Sequence, residues 1–241
     1  DDSTVAVVLL TGAGERAFCA GGDLQGGGAS AGMRGVIGPD KPPPTSAGAV
    51  HTLRQAMVSS QLLRDSHFVS IAAVNGACAG AGLSWAAACD LRMASENALF
   101  RAGFLTAGLS GDFGGTWTLP RIVGAAKARE MYLLNEKVRS AEALRIGLVS
   151  KVFPAAEFQA AVDKAAQMLA SAPPLALKRI KANFNDADRF SFAEHLDLEA
   201  ERHTRCGYHP DAAEAGNAFI AKKTPSFLGL QQRELWEMSK L

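Results

Sequence analysis

Two short glycine-rich segments carry the residue types best suited to chemistry. Ala17-Phe-Cys-Ala-Gly-Gly-Asp23 and Asn75-Gly-Ala-Cys-Ala-Gly-Ala-Gly82 both place small residues where backbone N–H groups can approach a ligand closely. The second leads into a run of helix formers, so the positive end of a helix dipole adds to its donors. Two such donors aimed at one point can hold an oxyanion. Taken singly, each segment is accounted for by a tight turn and close packing. A third glycine spot, Gly12-Ala-Gly14-Glu-Arg-Ala17, matches GxGxxA, the dinucleotide-binding fingerprint. That fingerprint needs a helix to begin on its last positions. Here the chain continues Phe18-Cys-Ala-Gly-Gly22, poor helix sequence, and a tight turn is the better account.

Other catalytic arrangements are weak or absent. Gly82-Leu-Ser-Trp-Ala86 falls one residue short of the GxSxG nucleophile elbow. Ser84 also lies well past Val74 and inside a helical stretch, whereas the elbow needs its serine directly after a strand. The five histidines show no HxxxH or HExxH spacing, so no metal is expected.

The elements that must position these segments read as an α/β alternation. Val5 to Leu10 is a short β-branched run closed by Thr11-Gly12, a buried strand. Gly21 to Gly48 has the makeup of a surface loop. Leu53 to Asp65 has near-helical apolar spacing and precedes a second strand, Ser70 to Val74. Gly80 to Cys89 is rich in helix formers, and Leu91 to Met93 and Ala98 to Phe100 follow as short strands. Helices are expected over Ala125 to Leu134, Ala141 to Ile146 and Glu157 to Leu169, with Leu148 to Phe153 the last strand. Ser191-Phe-Ala-Glu194 and Asp211-Ala-Ala-Glu214 have capping-box form. The chain therefore divides into an α/β core over 1–160 and a helical region over 161–241.

Composition bounds the function. The 241 residues are 48% hydrophobic and 20% charged, enough apolar material for a sizeable core. The formal net charge of +1 provides no global field to concentrate nucleic acid or an anionic membrane, so an anionic ligand must be held locally. Cys19, Cys78, Cys89 and Cys206 form no CxxC pair or disulfide-like ladder, which fits a reducing, cytoplasmic location. The most apolar stretch, Val69 to Trp85, is too short and too rich in Gly and Ala to span a bilayer.

Read together, the two glycine segments resemble the enoyl-CoA hydratase/isomerase (crotonase) family, whose pattern is AFxAGxD followed about fifty residues later by AxVNGxAxGxG. The resemblance continues through Cys89-Asp-Leu-Arg-Met-Ala94, the GGTW and LPRIVG elements between Gly108 and Gly124, IGLVSKV within Ala143 to Val152, and Ala218-Phe-Ile-Ala-Lys222. It covers nearly the whole chain in order. It implies a spiral of ββα units with a helical C-terminal oligomerisation region, forming a homotrimer or homohexamer. It also implies that the backbone N–H groups of Gly22 and Ala81 hold the carbonyl oxygen of an acyl-CoA thioester. In other enzymes the loss of one such donor costs about 2.7–4 kcal/mol.

Hydratases of the family carry two glutamates, and the matching positions here are Ser84 and Phe104. Addition of water ordinarily needs two groups for its proton traffic, so the two-glutamate route is disfavoured. One carboxylate remains nearby: Asp112, where some isomerases of the family have their acid/base aspartate and an aryl-CoA dehalogenase branch has its nucleophile. The expectation is double-bond isomerisation through an enolate, with Asp112 as proton carrier. The alternatives are hydration with a non-standard acid/base, displacement by Asp112 on an aryl-CoA, and a non-catalytic CoA-ester-binding protein. An Asx-turn or helix cap is the structural alternative for Asp112.

Coenzyme A contacts are expected at Ala20, Asp23, Leu24 and Lys222; the resemblance implies that Lys222 reaches the CoA phosphate region from a neighbouring subunit, with a solvated helix-end lysine as the alternative, and bracing of the oxyanion loop is the alternative for Asp23. Ser84, Phe104 and Trp117 are candidates for the acyl pocket, with core packing as the alternative for the two aromatics and a packed helical serine for Ser84. No cofactor is expected beyond CoA as part of the substrate. Relative to the family pattern, the chain lacks an opening strand hairpin and helix of roughly 35–40 residues, the mark of a truncated sequence.

Overall fold

The computed structural model describes residues 5–22 and 46–227. Two four-stranded sheets receive strands in turn as the chain advances. The first has the order β1-β3-β5-β8, from β1 (Val7–Thr11), β3 (Val69–Val74), β5 (Leu91–Ser95) and β8 (Lys151–Phe153). The second has the order β2-β4-β6-β7, from β2 (Ala17–Cys19), β4 (Ala77–Ala79), β6 (Leu99–Arg101) and β7 (Val138–Arg139). Each successive strand pair therefore supplies one strand to each sheet. The ladders β3–β5, β5–β8, β2–β4 and β4–β6 are parallel, and β6–β7 is antiparallel. All six residues of β3 are buried, the pattern of a strand covered on both faces. Its one polar residue, Ser70, is anchored by Asp90, whose Oδ2 accepts from the Ser70 N–H at 2.7 Å and from its hydroxyl at 2.8 Å.

The helices are α1 (Ser46–Ala56), α2 (Val58–Asp65), α3 (Ala81–Ala88), α4 (Gly115–Val123), α5 (Ala125–Leu133), α6 (Ser140–Arg145), α7 (Ala155–Ala170), α8 (Pro174–Ala187), α9 (Phe192–Tyr208) and α10 (Pro210–Ala221). Residue contacts divide the described chain into two units. One comprises 9–22, 46–64 and 70–162; the other comprises 5–8, 65–69 and 163–227. In the first, the core gathers Val74, Cys78, Leu83, Phe100, Leu119 and Met131. In the second, the buried Lys181 donates its ammonium to the Phe68 carbonyl at 2.8 Å. Arg202 bonds the Asn183 Oδ1 at 2.9 Å, tying α9 to α8.

Several elements differ from the sequence expectation. Most of the loop expected over Gly21 to Gly48 lies outside the described residues, and Gly48 itself sits inside α1. The helix expected over Leu53 to Asp65 is two helices broken at Met57, where Ser59 Oγ bonds the Ala56 carbonyl at 2.8 Å. The last strand is shorter than expected. Leu148 and Val149 direct their N–H groups to the Ala143 carbonyl at 2.8 and 3.2 Å instead of to a ladder. The Ser191 capping box is present, with Glu194 returning a bond to the Ser191 N–H at 2.8 Å. The Asp211 box is not. Pro210 starts α10 at the position where a missing N–H costs least, and His209 Nδ1 accepts from the Asp211 N–H at 3.3 Å. Helix α4 carries Pro120 in its interior and has no sequence signal of its own.

Candidate active site

The two glycine segments meet backbone to backbone. Gly82 lies flush on the end of β2: a β-carbon there would sit less than 3.0 Å from the Cys19 carbonyl oxygen and Cβ. This close approach draws the start of α3 against the residues that follow Cys19. Gly21 adopts φ +90°, and a β-carbon on it would be 3.1 Å from the Ala79 carbonyl oxygen and 3.6 Å from Gly80 Cα. The segment bearing Gly22 is thereby held beside the segment bearing Ala81. Ala81 is the first residue of α3, whose opening N–H groups have no carbonyl partner within the helix. Gly80, the residue before it, has no side chain to cap them.

Asn75 fixes the remaining glycine turn. Its Nδ2 donates to the Gly12 and Gly14 carbonyls at 3.1 and 2.6 Å, and its Oδ1 accepts from the Gly12 N–H at 3.2 Å. Gly12 to Gly14 is thus a turn leading into β2, as expected, with no helix following it. The Cys89 to Ala94 motif is likewise structural. Arg92 spans two backbone segments, bonding the Leu148 carbonyl at 2.9 Å and the Cys89 carbonyl at 2.6 Å.

Asp112 lies in the sharp turn before α4, where Gly111, Phe113 and Gly114 all have positive φ. Phe113 is held in this unusual conformation by burial and by edge-on packing against Trp85, with ring centroids 5.2 Å apart. The Asp112 side chain caps no helix, since the residue that caps α4 is Gly114 and no side-chain bond caps it. Its Oδ1 is buried with no hydrogen-bond partner among the described residues. Burial pushes its carboxyl up to about 6. Asp112 is therefore a half-buried carboxyl that titrates close to neutrality.

Helix α3 packs on α4, and at their contact Gly115 makes room for two hydroxyls. A β-carbon at Gly115 would lie less than 3.0 Å from both Ser84 Oγ and Tyr132 Oη. Ser84 is fully buried inside α3, with Oγ 3.5 Å from the Gly80 carbonyl. It is not on a strand-to-helix elbow. Phe104 is buried and stacks on Tyr132, with centroids 5.8 Å apart and planes 10° from parallel. Tyr132 was not singled out by the sequence. It sits in the helical run Glu130-Met-Tyr-Leu-Leu134, where an aromatic reads as core.

Ala20 is exposed just after β2. Asp23 and Leu24 lie outside the described residues. Trp117 is 41% exposed on α4, with the Arg64 and Arg121 guanidinium carbons 4.5 and 3.7 Å from its ring centroid. Lys222 belongs to the other unit, at the left-handed cap of α10. No cluster of metal-ligating side chains occurs among the described residues.

A family model for enoyl-CoA hydratase/isomerase matches residues 1–231. The chain belongs to this family. It is 38% identical over 224 residues to a protein of Rhodobacter capsulatus named "Probable enoyl-CoA hydratase", covering 92% of this chain and 80% of that one. It is 34% identical over 228 residues to the 1,2-epoxyphenylacetyl-CoA isomerase of Escherichia coli, covering 95% and 83%. The crystal structure of an enoyl-CoA hydratase from Bacillus anthracis superposes with a TM-score of 0.82 at 28% identity, over 93% of this chain and 81% of that one. The α/β architecture with C-terminal helices is thus the crotonase fold, and the chain is an enzyme of the family that acts on acyl-CoA. No described helix is long and apolar enough to cross a membrane.

Proposed function

We propose that the chain is an enoyl-CoA isomerase that moves a double bond through an enolate. The N–H groups of Gly22 and Ala81 hold the thioester oxygen as charge develops on it, and Asp112 takes a proton from one carbon and returns it to another. The observation that carries this reading is the state of Asp112. Its buried oxygen has no partner, and burial raises its carboxyl to about 6, within reach of both protonation states near neutral pH. Ser84 and Phe104 add no second carboxylate, and one suffices for proton relocation.

In this reading CoA enters only as part of the substrate and no further cofactor is required. Ala20, Asp23, Leu24 and Lys222 are assigned to the CoA moiety, with Lys222 contributed by a neighbouring subunit of a homotrimer or homohexamer in the cytoplasm. Phe104, Ser84 and Trp117 are assigned to the acyl side. The test is Asp112→Asn, assayed by NMR with a panel of enoyl-CoAs in heavy water. Turnover and α-proton exchange should fall at least about 100-fold while acyl-CoA affinity stays within a few-fold. Unchanged exchange would remove Asp112 from the mechanism.

A further inference from the structure

Among the described residues the first unit holds three buried polar side-chain atoms without a hydrogen-bond partner, and two of them lie in one neighbourhood. One is Asp112 Oδ1; the other is the Tyr132 hydroxyl. A buried polar atom without a partner costs stability, so a native site that keeps two of them together points to a ligand that completes both. Their proximity is structural. The Tyr132 ring edge lies against Gly111, the residue before Asp112: a β-carbon there would be 3.3 Å from Tyr132 Cε1. The hydroxyl then reaches the point beneath Gly115 that it shares with Ser84 Oγ.

Ser84 does not satisfy this phenol. The Ser84 hydroxyl lies beside it and opposes the rise in its pKa, but Ser84 Oγ donates to the Gly80 carbonyl at 3.5 Å, and the phenol is left without a partner among the described residues. Burial raises the Tyr132 pKa, and the Asp112 charge adds to the rise against the opposing effect of Ser84. With its pKa above that of an ordinary phenol, Tyr132 is a neutral donor near neutral pH. The ring is held on one side by Phe104 and cannot swing to find water without breaking that stack. Ser84 and Phe104, the two positions without carboxylates, are thus the residues that orient Tyr132, one at its hydroxyl and one at its ring.

We infer that Tyr132 is a further residue of the active site, its hydroxyl donating to an oxygen carried by the acyl chain, or by a water that adds to that chain, while Asp112 handles the carbon-bound proton. The substrate class is therefore an acyl-CoA with an oxygen function near the reacting carbons, present already or arriving as water. This rests on the reading that acyl-CoA thioesters bind at this site.

The test compares the native sequence with Tyr132→Phe, which keeps the ring and its stack on Phe104. Affinities for 3-hydroxybutyryl-CoA and butyryl-CoA are measured by calorimetry, and crotonyl-CoA in heavy water is followed for α-proton exchange and hydration. If the oxygen is on the chain, Tyr132→Phe loses about tenfold in affinity for 3-hydroxybutyryl-CoA and nothing for butyryl-CoA. If the oxygen is water, the two affinities are unchanged, exchange persists and hydration falls at least about tenfold. Equal behaviour of the two proteins in every arm overturns the inference. So does an equal loss on both ligands, which would mark a packing role. Failure of the native sequence to bind either ester would instead overturn the reading of the site itself.

Discussion

Gly115→Ala tests the packing that brings the site together. The backbone at Gly115 does not require glycine, and alanine is the better helix former by about 1 kcal/mol, so sequence logic alone expects stabilisation. The structure expects the reverse. The new methyl would lie less than 3.0 Å from Ser84 Oγ and Tyr132 Oη, and 3.2 Å from Ser84 Cβ. Neither hydroxyl can yield cheaply: Ser84 is fully buried in α3, and the Tyr132 ring is stacked on Phe104. Overpacking of this kind costs about 1–3 kcal/mol. After the helix gain is subtracted, a net loss of up to about 2 kcal/mol remains, and for a chain of this size that lowers Tm by up to about 8 °C. The assay is thermal and urea unfolding of a mutant cycle in which Ser84→Ala and Tyr132→Phe are added to Gly115→Ala. Each added change removes one colliding oxygen and should recover part of the loss, a coupling of about 0.5–1 kcal/mol per oxygen. A Gly115→Ala protein more stable than the native one, or a loss additive with both changes, would refute the convergence of Ser84, Gly115 and Tyr132.

Two further outcomes follow from the geometry. A base acts in its ionised form, so kcat/KM for proton relocation should rise about tenfold per pH unit below about 6 and level off above it, following the Asp112 carboxyl. A pH–rate profile flat between pH 5 and 7 would exclude Asp112 as the base. Asn75→Ala removes three hydrogen bonds from the Gly12–Gly14 turn. Water replaces part of them at this half-exposed place, leaving a loss of about 1–3 kcal/mol. Hydrogen exchange should show faster opening of β1 and β2, which enter and leave that turn, than of β5.

Five of the eight strands and most helices were legible in the sequence because their signals are local, whereas β2, β4 and β7, each of two or three residues, are too short to carry one. Val69–Val74 is an apolar run buried along its whole length, and Ala81–Ala88 a run of small helix formers. The Ser191 box was legible for the same reason, whereas the Asp211 box failed because Pro210 and His209 compete for the same helix start. Helix α4 was hidden by its own composition, with Gly at its first position and Pro120 within it. It forms through packing on α3, which no local pattern records. The close approach of Gly21 to Gly80 was implied by the paired glycine motifs, but its physical basis, Gly82 pressed on Cys19, is a contact between residues 63 apart.

Tyr132 was invisible for a stronger reason. Its place on α5 is indistinguishable in sequence from that of a core aromatic, and its importance depends on which atoms it leaves unsatisfied. The same holds for the carboxyl of Asp112, whose pKa is set by burial rather than by a charged neighbour that a motif could reveal. The glycine motifs encode a backbone arrangement, which small residues at fixed positions specify almost by themselves. Proton chemistry instead depends on side chains brought in from α3, α5 and the turn before α4. Members of one family can therefore keep the first and vary the second. Where the family resemblance expects two carboxylates this chain has Ser84 and Phe104, and both of these lie against Tyr132, one near its hydroxyl and one on its ring. In the proposed reading the pair Asp112 and Tyr132 decides the reaction, whereas the glycine frame decides only that a thioester oxygen is held.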